Sequence, residues 1–356
     1  MRVAYTLEQC WHRVPGGTGS AAVALASALV ERGDIDVIGV TGRHRTAATE
    51  GFVPPVRCVS LPLAAPWLYE TWTRFRWPLV ESVVTDADVV HSTSVIPAAT
   101  RLPHVVTLHD VAFLRHPEFF TARGNKVFRR SLRLVRDNAS LVLCSSRATL
   151  DDCLGGGFPV SQLRHVPLGV SPVHVDAADT ARVSEKHSLP DEFVLFVGTL
   201  EPRKNLDRLI AAMGMLRRPM PLVIAGVHGW GDRPAPSGID VRMTGWVDTG
   251  DLPALYAASS VFAYPSVLEG FGMPVLEAMA AGTAVVTSRG TSTEEVAGGA
   301  AVLVDPLDAG SIARGIEEAV ARRGELVAAG RQRAAAATWQ RTAQLVVEAY
   351  TEAARA

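Results

Sequence analysis

Short apolar runs alternate with helical segments along almost the whole chain. Five runs in the first half predict buried strands: RVAYTL (2–7), DVIGV (36–40), DVVHS (88–92), HVVTLH (104–109) and SLVLCSS (140–146). Helical segments lie between them, such as GSAAVALASALVERG (19–33), which ends at a glycine as helices often do. Strands that alternate with helices form βαβ units with a parallel sheet. The first half therefore predicts a parallel α/β domain.

The second half repeats the pattern. Six apolar runs predict strands: FVLFVG (193–198), PLVIAG (221–226), DVRMTG (240–245), VFAYPS (261–266), AVVTS (284–288) and AVLVDP (301–306). The segments between them predict helices: NLDRLIAAMGML (205–216), GDLPALYAAS (250–259), MPVLEAMAAG (273–282) and LDAGSIARGIEEAVARRG (307–324). The proline-containing stretch 165–192 is irregular and is interpreted as a linker and hinge. Since ligands of open α/β sheets collect at the carboxyl ends of strands, two facing domains would enclose one cleft.

The length and composition agree with two domains and argue against several classes of protein. The chain has 356 residues, of which 48% are hydrophobic and 20% charged, and this length exceeds the size at which one core usually keeps growing. Lys and Arg number 35 against 36 Asp and Glu, which argues against a nucleic-acid partner. The four cysteines form no CxxC pair, so we expect a reducing, cytoplasmic compartment with neither a disulfide framework nor a zinc site. The first residues lack the apolar core of a signal peptide, and no run approaches the length of a membrane span.

The stretch EGFGMPVLEAMAAG (269–282) places two glutamates around a glycine-rich turn. Its glycines allow positive φ or close approach to a ligand, Pro274 suits a first helical turn, and Gly282 suits a helix end. The unpaired N–H groups of 272–276 and the helix dipole then favour a phosphate or sugar hydroxyls. Glu277 could accept hydrogen bonds from a ribose diol and Glu269 from a second polyol, so together they predict a nucleotide sugar. The alternative is an ordinary capped helix with solvated glutamates.

A second polar loop, in FVGTLEPRKNLDRLI (193–210), places Arg203 and Lys204 where a helix begins. Cations at a helix N-terminus oppose its dipole, so something anionic is expected to compensate them, and a diphosphate would do so. The alternative is that both are solvated charges, with Asp207 easing the clash.

With these two motifs the chain resembles a family 4 glycosyltransferase of GT-B architecture. EGFGMPVLEAMAAG is similar to the E-x7-E motif of that family and GTLEPRKN to its basic phosphate loop. PGGTGSAAVALASAL resembles its N-terminal glycine-rich loop, and TWQRTAQLVVEAYTEAA resembles the helix that crosses back to the first domain. The resemblance implies two Rossmann-like domains facing each other across a cleft: residues 1–170 with a returning helix at about 339–356 for the acceptor, and 171–338 for the nucleotide-sugar donor.

The resemblance also implies an activity. It is the transfer of a hexose, of mannose or glucose type, from a nucleoside diphosphate sugar to a hydroxyl, with retention of configuration, no cofactor and no required metal. Among the implied catalytic residues, Glu269 would touch the donor sugar. Lys204 and Arg203 would bind the diphosphate and Glu277 the ribose. The donor-binding backbone would comprise Gly270, Phe271, Gly272, Met273, Pro274 and Val275. Many members have arginine where this chain has Thr199, which puts the role of Arg203 in question.

The first half supplies the remaining candidates. His109 closes a predicted strand, and in the family a histidine at such a place lies beside the reacting carbon, so it is a candidate catalytic residue. Taken alone, a strand-end histidine is more often a hydrogen-bonded structural residue. Gly16 and Gly17 begin a helix and would let the backbone approach the donor or the acceptor.

Other functions were weighed against this one. GTGSAA (17–22) fits the dinucleotide pattern of an NAD-dependent dehydrogenase, but nine residues separate Leu7 from Gly17, whereas the first glycine should follow its strand at once. The DAD of residues 86–88 precedes a strand instead of following one, so it does not fit a metal-dependent sugar transferase. A phosphorylase with pyridoxal phosphate needs a lysine, and the chain has three, of which Lys204 is assigned to the diphosphate. A non-catalytic sugar-nucleotide-binding protein and a GT-B epimerase stay open.

The sequence indicates the acceptor less clearly than the donor. Residues 65–81 are rich in aromatic side chains that could stack on a sugar or a lipid-linked acceptor, although core packing is the more frequent role. The basic helix predicted at 123–138 fits either a solvated face or contact with the inner face of a membrane. The sequence leaves open the donor base (UDP, GDP or dTDP), the sugar, the acceptor, the linkage and the oligomeric state.

Overall fold

In the computed structural model the chain divides into two compact units, and residues 1–227 and 238–355 are described. The first unit comprises Met1–Gly169 together with Trp339–Ala356, and the second comprises Val170–Thr338. The boundary expected from the sequence, between residues 170 and 171, lies one residue from this division. Each unit has its own sheet and its own core.

The first unit contains a sheet of seven parallel strands. The strands are β1 (Arg2–Thr6), β2 (Asp36–Thr41), β3 (Cys58–Ser60), β4 (Val89–Ser92), β5 (His104–Leu108), β6 (Leu141–Cys144) and β7 (Leu163–His165), in the spatial order β3-β2-β1-β4-β5-β6-β7. The helices are α1 (Gly16–Arg32), α2 (Trp67–Phe75), α3 (Ala112–Arg115), α4 (Ala122–Asn138) and α5 (Arg147–Gly155). The core of this unit includes two apolar clusters, one containing Val90 and Trp72 and the other Val106 and Val142.

The described residues of the second unit form a sheet of six parallel strands. These are β8 (Val194–Val197), β9 (Leu222–Ala225), β10 (Val241–Gly245), β11 (Val261–Tyr264), β12 (Val285–Ser288) and β13 (Val302–Val304), in the order β10-β9-β8-β11-β12-β13. The helices of this unit are α6 (Ala177–Lys186), α7 (Leu206–Met213), α8 (Leu252–Ala258), α9 (Met273–Ala280), α10 (Ser292–Ala297), α11 (Ala309–Ala321) and α12 (Arg323–Ala336). The order reverses at β8, so β8 and β11 are neighbours although β9 and β10 lie between them in the chain.

Every apolar run predicted as a strand forms one. Most of these strands are buried on both faces of a sheet and therefore need apolar residues throughout, whereas β10 is a partly exposed edge strand. The two strands that the pattern missed, β3 and β7, lie at the sheet edges, where partial exposure permits polar residues. The supposed linker 165–192 is also corrected: it contains α6, capped by the side chain of Asp176 and burying only Val183. The helices α10 and α12 were likewise absent from the prediction.

The chain returns to the first unit through its last helix, α13 (Trp339–Arg355). Tyr350 of this helix is fully buried, and its hydroxyl lies 2.6 Å from Nδ1 of His91 on β4. The Thr342 hydroxyl donates to the carbonyl of Pro167 at 2.8 Å. The helix expected at about 339–356 is thus present as far as Arg355, and residue 356 lies outside the described residues. Across the described parts of the chain, no helix combines the length and the apolar character needed to cross a bilayer.

Candidate active site

Two polar loops meet at the carboxyl edge of the second sheet. One follows β8 and carries Arg203 and Lys204 in a short 3-10 turn, and the other follows β11 and carries Glu269. Because β8 and β11 are paired in parallel, their carboxyl ends lie side by side. The structure therefore brings together three of the predicted site residues.

Glu269 forms ion pairs with both cations. Its carboxylate accepts from Nη1 of Arg203 at 2.8 Å and from Nζ of Lys204 at 2.7 Å. The side chains of Lys204 and Glu269 are only 8% and 7% exposed. Burial opposes ionisation of Glu269, but the charges of Arg203 and Lys204 outweigh it and lower its pKa to about 2. Glu269 is therefore a carboxylate at neutral pH and holds the two cations at the end of β8.

Glu201 is a member of this cluster that the sequence prediction missed. Its carboxylate accepts from Nε of Arg203 at 2.7 Å and from the hydroxyl of Thr199 at 2.6 Å. Thr199, which stands where many family members have arginine, thus orients the acid that orients Arg203. The anionic compensation expected for Arg203 and Lys204 is provided here by Glu201 and Glu269. The available signal was an acidic residue two positions before an arginine in a short polar loop.

Tyr264 is a further member of the cluster and contacts Lys204. It is fully buried at the end of β11, and its hydroxyl accepts a hydrogen bond from Nζ of Lys204. Burial raises the pKa of Tyr264 well above its usual value, so it stays a neutral phenol. Lys204 is therefore held between a phenol and a carboxylate.

The glycine-rich turn after Glu269 runs directly into α9. Gly272 has φ +100°, and a Cβ atom at this position would lie 2.6 Å from Cγ2 of Thr293 on α10. The position therefore needs glycine for its φ value and for the close approach of α10. Met273 begins the helix and Pro274 lies in its first turn, where a missing N–H costs nothing. Gly270 and Phe271 are buried within the turn.

Glu277 projects from α9 and is partly buried. Its carboxylate accepts a hydrogen bond from the hydroxyl of Tyr256 at 3.0 Å. Burial raises the pKa of Glu277, and the bond from Tyr256 partly offsets that rise. Tyr256 was not anticipated, because its partner lies 21 residues further along the chain.

His109 and the two N-terminal glycines belong to the first unit. His109 follows β5 and lines a mainly apolar cavity with Tyr5, Leu25 and Thr342. Its carbonyl accepts from the hydroxyls of Ser145 and Thr149, each at 3.0 Å. Burial lowers the pKa of the His109 ring, against the opposing effects of Asp110 and of a hydrogen bond to the backbone of Thr93, so the ring is neutral at pH 7. Gly16, with φ +60°, and Gly17 are exposed at the start of α1.

Comparison with known proteins identifies the family. Residues 15–174 match the profile described as Glycosyltransferase Family 4, and residues 178–336 match that of Glycosyl transferases group 1. O-antigen chain mannosyltransferase B of Escherichia coli is 32% identical over 272 residues, which cover 70% of this chain and 71% of that protein. The chain belongs to glycosyltransferase family 4. It is a hexosyltransferase of that family type.

Two further likenesses place this family 4 glycosyltransferase among its relatives. The serotype-specific mannosyltransferase WbdA of Escherichia coli is 35% identical over 185 residues, or 48% of this chain and 23% of WbdA. This chain therefore matches less than a quarter of the length of WbdA. The crystal structure of Anabaena Alr3699/HepE in complex with UDP and glucose has a TM-score of 0.75 at 19% identity, over 99% of this chain and all of that one. The fold is thus of the GT-B type, as the sequence predicted.

Within this glycosyltransferase the predicted residues fall into separate groups. Arg203, Lys204 and Glu269 are in direct contact, and the turn from Gly270 to Val275 continues from Glu269. Glu277 lies further along the same helix, with Tyr256 as its partner. His109, Gly16 and Gly17 belong to the other unit.

Proposed function

We propose that this enzyme is a retaining mannosyltransferase that takes mannose from a nucleoside diphosphate donor and needs no metal. The observation that carries the proposal is the buried contact of Lys204 and Arg203 with Glu269, next to the glycine turn that begins α9. Mannose is supported by the two Escherichia coli relatives, which are mannosyltransferases. A nucleoside diphosphate is supported by the ligands of the HepE structure, which are UDP and glucose.

The donor would be held by charge and by backbone. Lys204, Arg203 and the N–H groups at the start of α9 would bind the diphosphate, as helix N-termini bind phosphates. Phosphate oxygens would then replace Glu269 on the two cations, and Glu269 would become available to the hydroxyls of the transferred sugar. Glu277 would accept hydrogen bonds from the ribose.

The chemical step would be a displacement on one face of the sugar. The bond between the anomeric carbon and the β-phosphate oxygen breaks while the acceptor oxygen bonds to that carbon on the same side. The acceptor proton passes to the departing phosphate oxygen, so retention needs no covalent intermediate. Negative charge grows on the leaving diphosphate, and Lys204 and Arg203 would stabilise it in place of a metal. We propose His109, with its neutral ring, as the catalytic residue that orients a sugar hydroxyl.

The basic helix α4 has internal partners that bear on the acceptor and on membrane contact. Arg130 and Arg123 both pair with Glu70 of α2, at 3.4 and 3.5 Å. Arg129 donates to the carbonyl of Phe113 at 3.3 Å. These contacts favour a structural, solvated role for the helix over binding to anionic lipid.

The donor and its binding residues can be tested together. We expect a mannose donor such as GDP-mannose to be hydrolysed or transferred faster than UDP-glucose in the presence of EDTA, with the anomer of the product read by NMR. Lys204→Ala should lower turnover by about 10²–10³, the usual cost of removing one preorganised charge donor. Lys186→Ala is the matched control, because Lys186 lies in the same unit but pairs with Asp248 and Asp251.

Several outcomes would contradict the proposal. Wild-type turnover in Lys204→Ala would show that this cluster does not bind the diphosphate. Full kcat in His109→Ala would show that His109 has no catalytic role. An inverted product would refute the same-face step. Thermal-shift measurements with nucleoside diphosphates decide the base, because a ligand at 100 times its Kd adds about 2.7 kcal/mol of apparent stability.

A further inference from the structure

The loops that follow β1 and β2 in the first unit are tied together by side chains outside the proposed donor site. The indole of Trp11 stacks on the ring of His44, with centroids 4.6 Å apart and planes 8° apart. Nε1 of Trp11 donates to the carbonyl of Thr46 at 3.0 Å. The backbone N–H of Thr49 donates to the carbonyl of Cys10 at 2.9 Å. The two loops therefore form one surface at the carboxyl edge of the sheet.

Glu8 is a buried side chain that contacts the second of these loops at Gly42 and His44. It is only 2% exposed, and its Oε2 accepts from the N–H of Gly42 at 2.5 Å and lies 3.0 Å from Nε2 of His44. Its Oε1 has no hydrogen-bond partner within residues 1–227 and 238–355. A buried carboxylate oxygen is normally satisfied, and each exception calls for an explanation. Oε1 exposes almost no surface, so Glu8 acts on this surface through Oε2, which positions His44 and the second loop.

The rings of Trp11 and His44 offer the apolar part of a sugar site. Both residues keep part of their surface exposed, whereas Glu8 behind them does not. The C–H face of a pyranose packs well on an aromatic ring, and a ring already held by a hydrogen bond loses little entropy on binding. The surface therefore offers a stacking face whose His44 ring is positioned by Glu8.

Three exposed arginines lie on the two loops that carry the Trp11–His44 pair. Arg13 lies on the first loop and Arg43 and Arg45 on the second, and all three are exposed. None of them forms an ion pair with any residue that the structure describes. Other arginines of the unit have acidic partners, such as Arg74 and Arg130 with Glu70. Unpaired guanidinium groups on two linked loops favour a phosphate, because a guanidinium can bind phosphate oxygens in a bidentate way.

The surface adjoins the proposed catalytic histidine through contacts within the first unit. Gln9, in the same 3-10 turn as Glu8, donates to the hydroxyl of Thr93 at 2.6 Å. The backbone of Thr93 in turn accepts a hydrogen bond from the ring of His109. The Trp11–His44 pair is therefore linked to His109 through Glu8, Gln9 and Thr93.

We propose that the Trp11–His44 pair, with Glu8 behind it and Arg13, Arg43 and Arg45 on the same two loops, binds the acceptor, and that the acceptor is a sugar carrying a phosphate group. This proposal rests on the proposed function, which supplies the donor half of the reaction. The phosphate has two sources, a free sugar phosphate or the phosphate of a lipid carrier. The arginines would bind the phosphate and the aromatic pair the sugar ring.

The test is a titration with the donor site filled. With GDP or UDP present at saturation, calorimetry measures binding of mannose 1-phosphate, of mannosyl farnesyl phosphate in detergent, and of the neutral methyl α-mannoside. We expect the wild type to prefer a phosphorylated probe by at least about tenfold, the equivalent of one good charge-assisted contact. The probe that binds more tightly identifies the source of the phosphate.

Charge-matched variants separate this surface from the general charge of the protein. Arg43→Gln with Arg45→Gln should abolish the preference for the phosphorylated probe while changing the Kd of methyl α-mannoside less than twofold. Arg57→Gln with Arg101→Gln removes the same charge at the amino edge of the sheet, before β3 and β5, and should keep the preference.

The outcomes separate the two proposals. No preference in the wild type, or an unchanged preference in Arg43→Gln with Arg45→Gln, would overturn the acceptor site even when the nucleotide binds. Failure of every nucleotide to bind would instead refute the proposed donor chemistry. The acceptor proposal could still be tested in that case, since the titration with sugar phosphate can be carried out without nucleotide.

Discussion

Arg203 and Lys204 bring two positive charges into a site where Glu201 and Glu269 provide two negative ones. The four side chains are mostly buried, with side-chain exposures from 7% to 19%. A buried charge without a partner is costly, so the cluster is stable in the absence of a ligand only because each charge has a partner. An incoming diphosphate must therefore displace Glu269 from Arg203 and Lys204, because neither cation is unpaired before the ligand binds.

Glu277 gives a prediction for the pH dependence of donor binding. Its pKa is raised by burial, so the carboxylate becomes protonated at a higher pH than an ordinary glutamate, whose value is about 4.3. The protonated form accepts hydrogen bonds from the ribose poorly, and affinity for GDP-mannose should fall as the pH drops through this raised value. Glu277→Gln should weaken binding about 10- to 100-fold at neutral pH and remove the pH step.

Tyr256→Phe tests the same carboxylate from its other side. The hydrogen bond from Tyr256 lowers the pKa of Glu277, so its loss should move the pH midpoint of binding upward. Fluorescence titration of GDP-mannose at several pH values measures both effects, since a sugar diphosphate has no second phosphate pKa near neutrality. A midpoint that Tyr256→Phe leaves in place would show that this bond does not set the ionisation of Glu277.

At the scale of elements, the turn between β11 and α9 depends on one close approach. Gly272 packs against Thr293, whose hydroxyl bonds to those of Thr287 and Thr291 at 2.7 and 2.8 Å. Those bonds fix the position of the Thr293 methyl group, so α10 cannot easily move away. The start of α9 is therefore positioned by a helix that the sequence pattern did not reveal.

Gly272→Ala should lower the free energy of unfolding by about 2–5 kcal/mol, from the positive φ together with overpacking against Thr293. Gly290→Ala is the control: φ there is also positive, at +73°, but a Cβ meets no atom within 4 Å, so only the backbone cost of about 1–2 kcal/mol is expected. Urea denaturation measures both. Thr293→Ser removes the methyl group and should restore part of the loss in a double variant. Equal effects of the two glycine substitutions would rule out the contact.

At the scale of the molecule, the chain leaves the first unit once and returns to it in α13. This helix buries Trp339, Val346 and Tyr350 in the first unit, so the core of that unit includes a segment that follows the second unit in the chain. Burial lowers the pKa of His91 to about 3, and the ring is thus a neutral partner for Tyr350.

Tyr350→Ala should destabilise the first unit by about 3–5 kcal/mol, because it leaves a large cavity and an unpaired ring nitrogen on His91. Tyr350→Phe, which removes the hydroxyl alone, should cost about 1–3 kcal/mol. Hydrogen exchange read by mass spectrometry can assign the loss: peptides of β4 and β5 should exchange faster while those of β8 and β11 stay protected. Equal acceleration in both units would mean that α13 stabilises the whole chain and not the first unit alone.

Much of the fold could be predicted from the sequence, because a parallel sheet covered on both faces needs apolar strands. All eleven apolar runs that were predicted as strands form strands. The edge strands β3 and β7 and the helix α6 were missed, since elements with few buried positions leave a weak periodic signal. The glycine turn and the basic loop were recognised as ligand-binding segments from residue type alone, and those assignments stay predictions.

The sequence by itself determined where the eleven apolar strands, the glycine turn and the basic loop occur, because apolar periodicity and glycine positions act over a few residues. Only the tertiary structure decided which charges meet. Glu269 lies 65 residues from Lys204 and 66 from Arg203, and they touch because β11 pairs with β8. The contacts of Tyr264 with Lys204 and of Tyr256 with Glu277 also depend on tertiary packing, because they join residues 60 and 21 positions apart and a hydrogen bond is directional and short. Glu201 is different, since its partners Thr199 and Arg203 are each two residues away in the same loop.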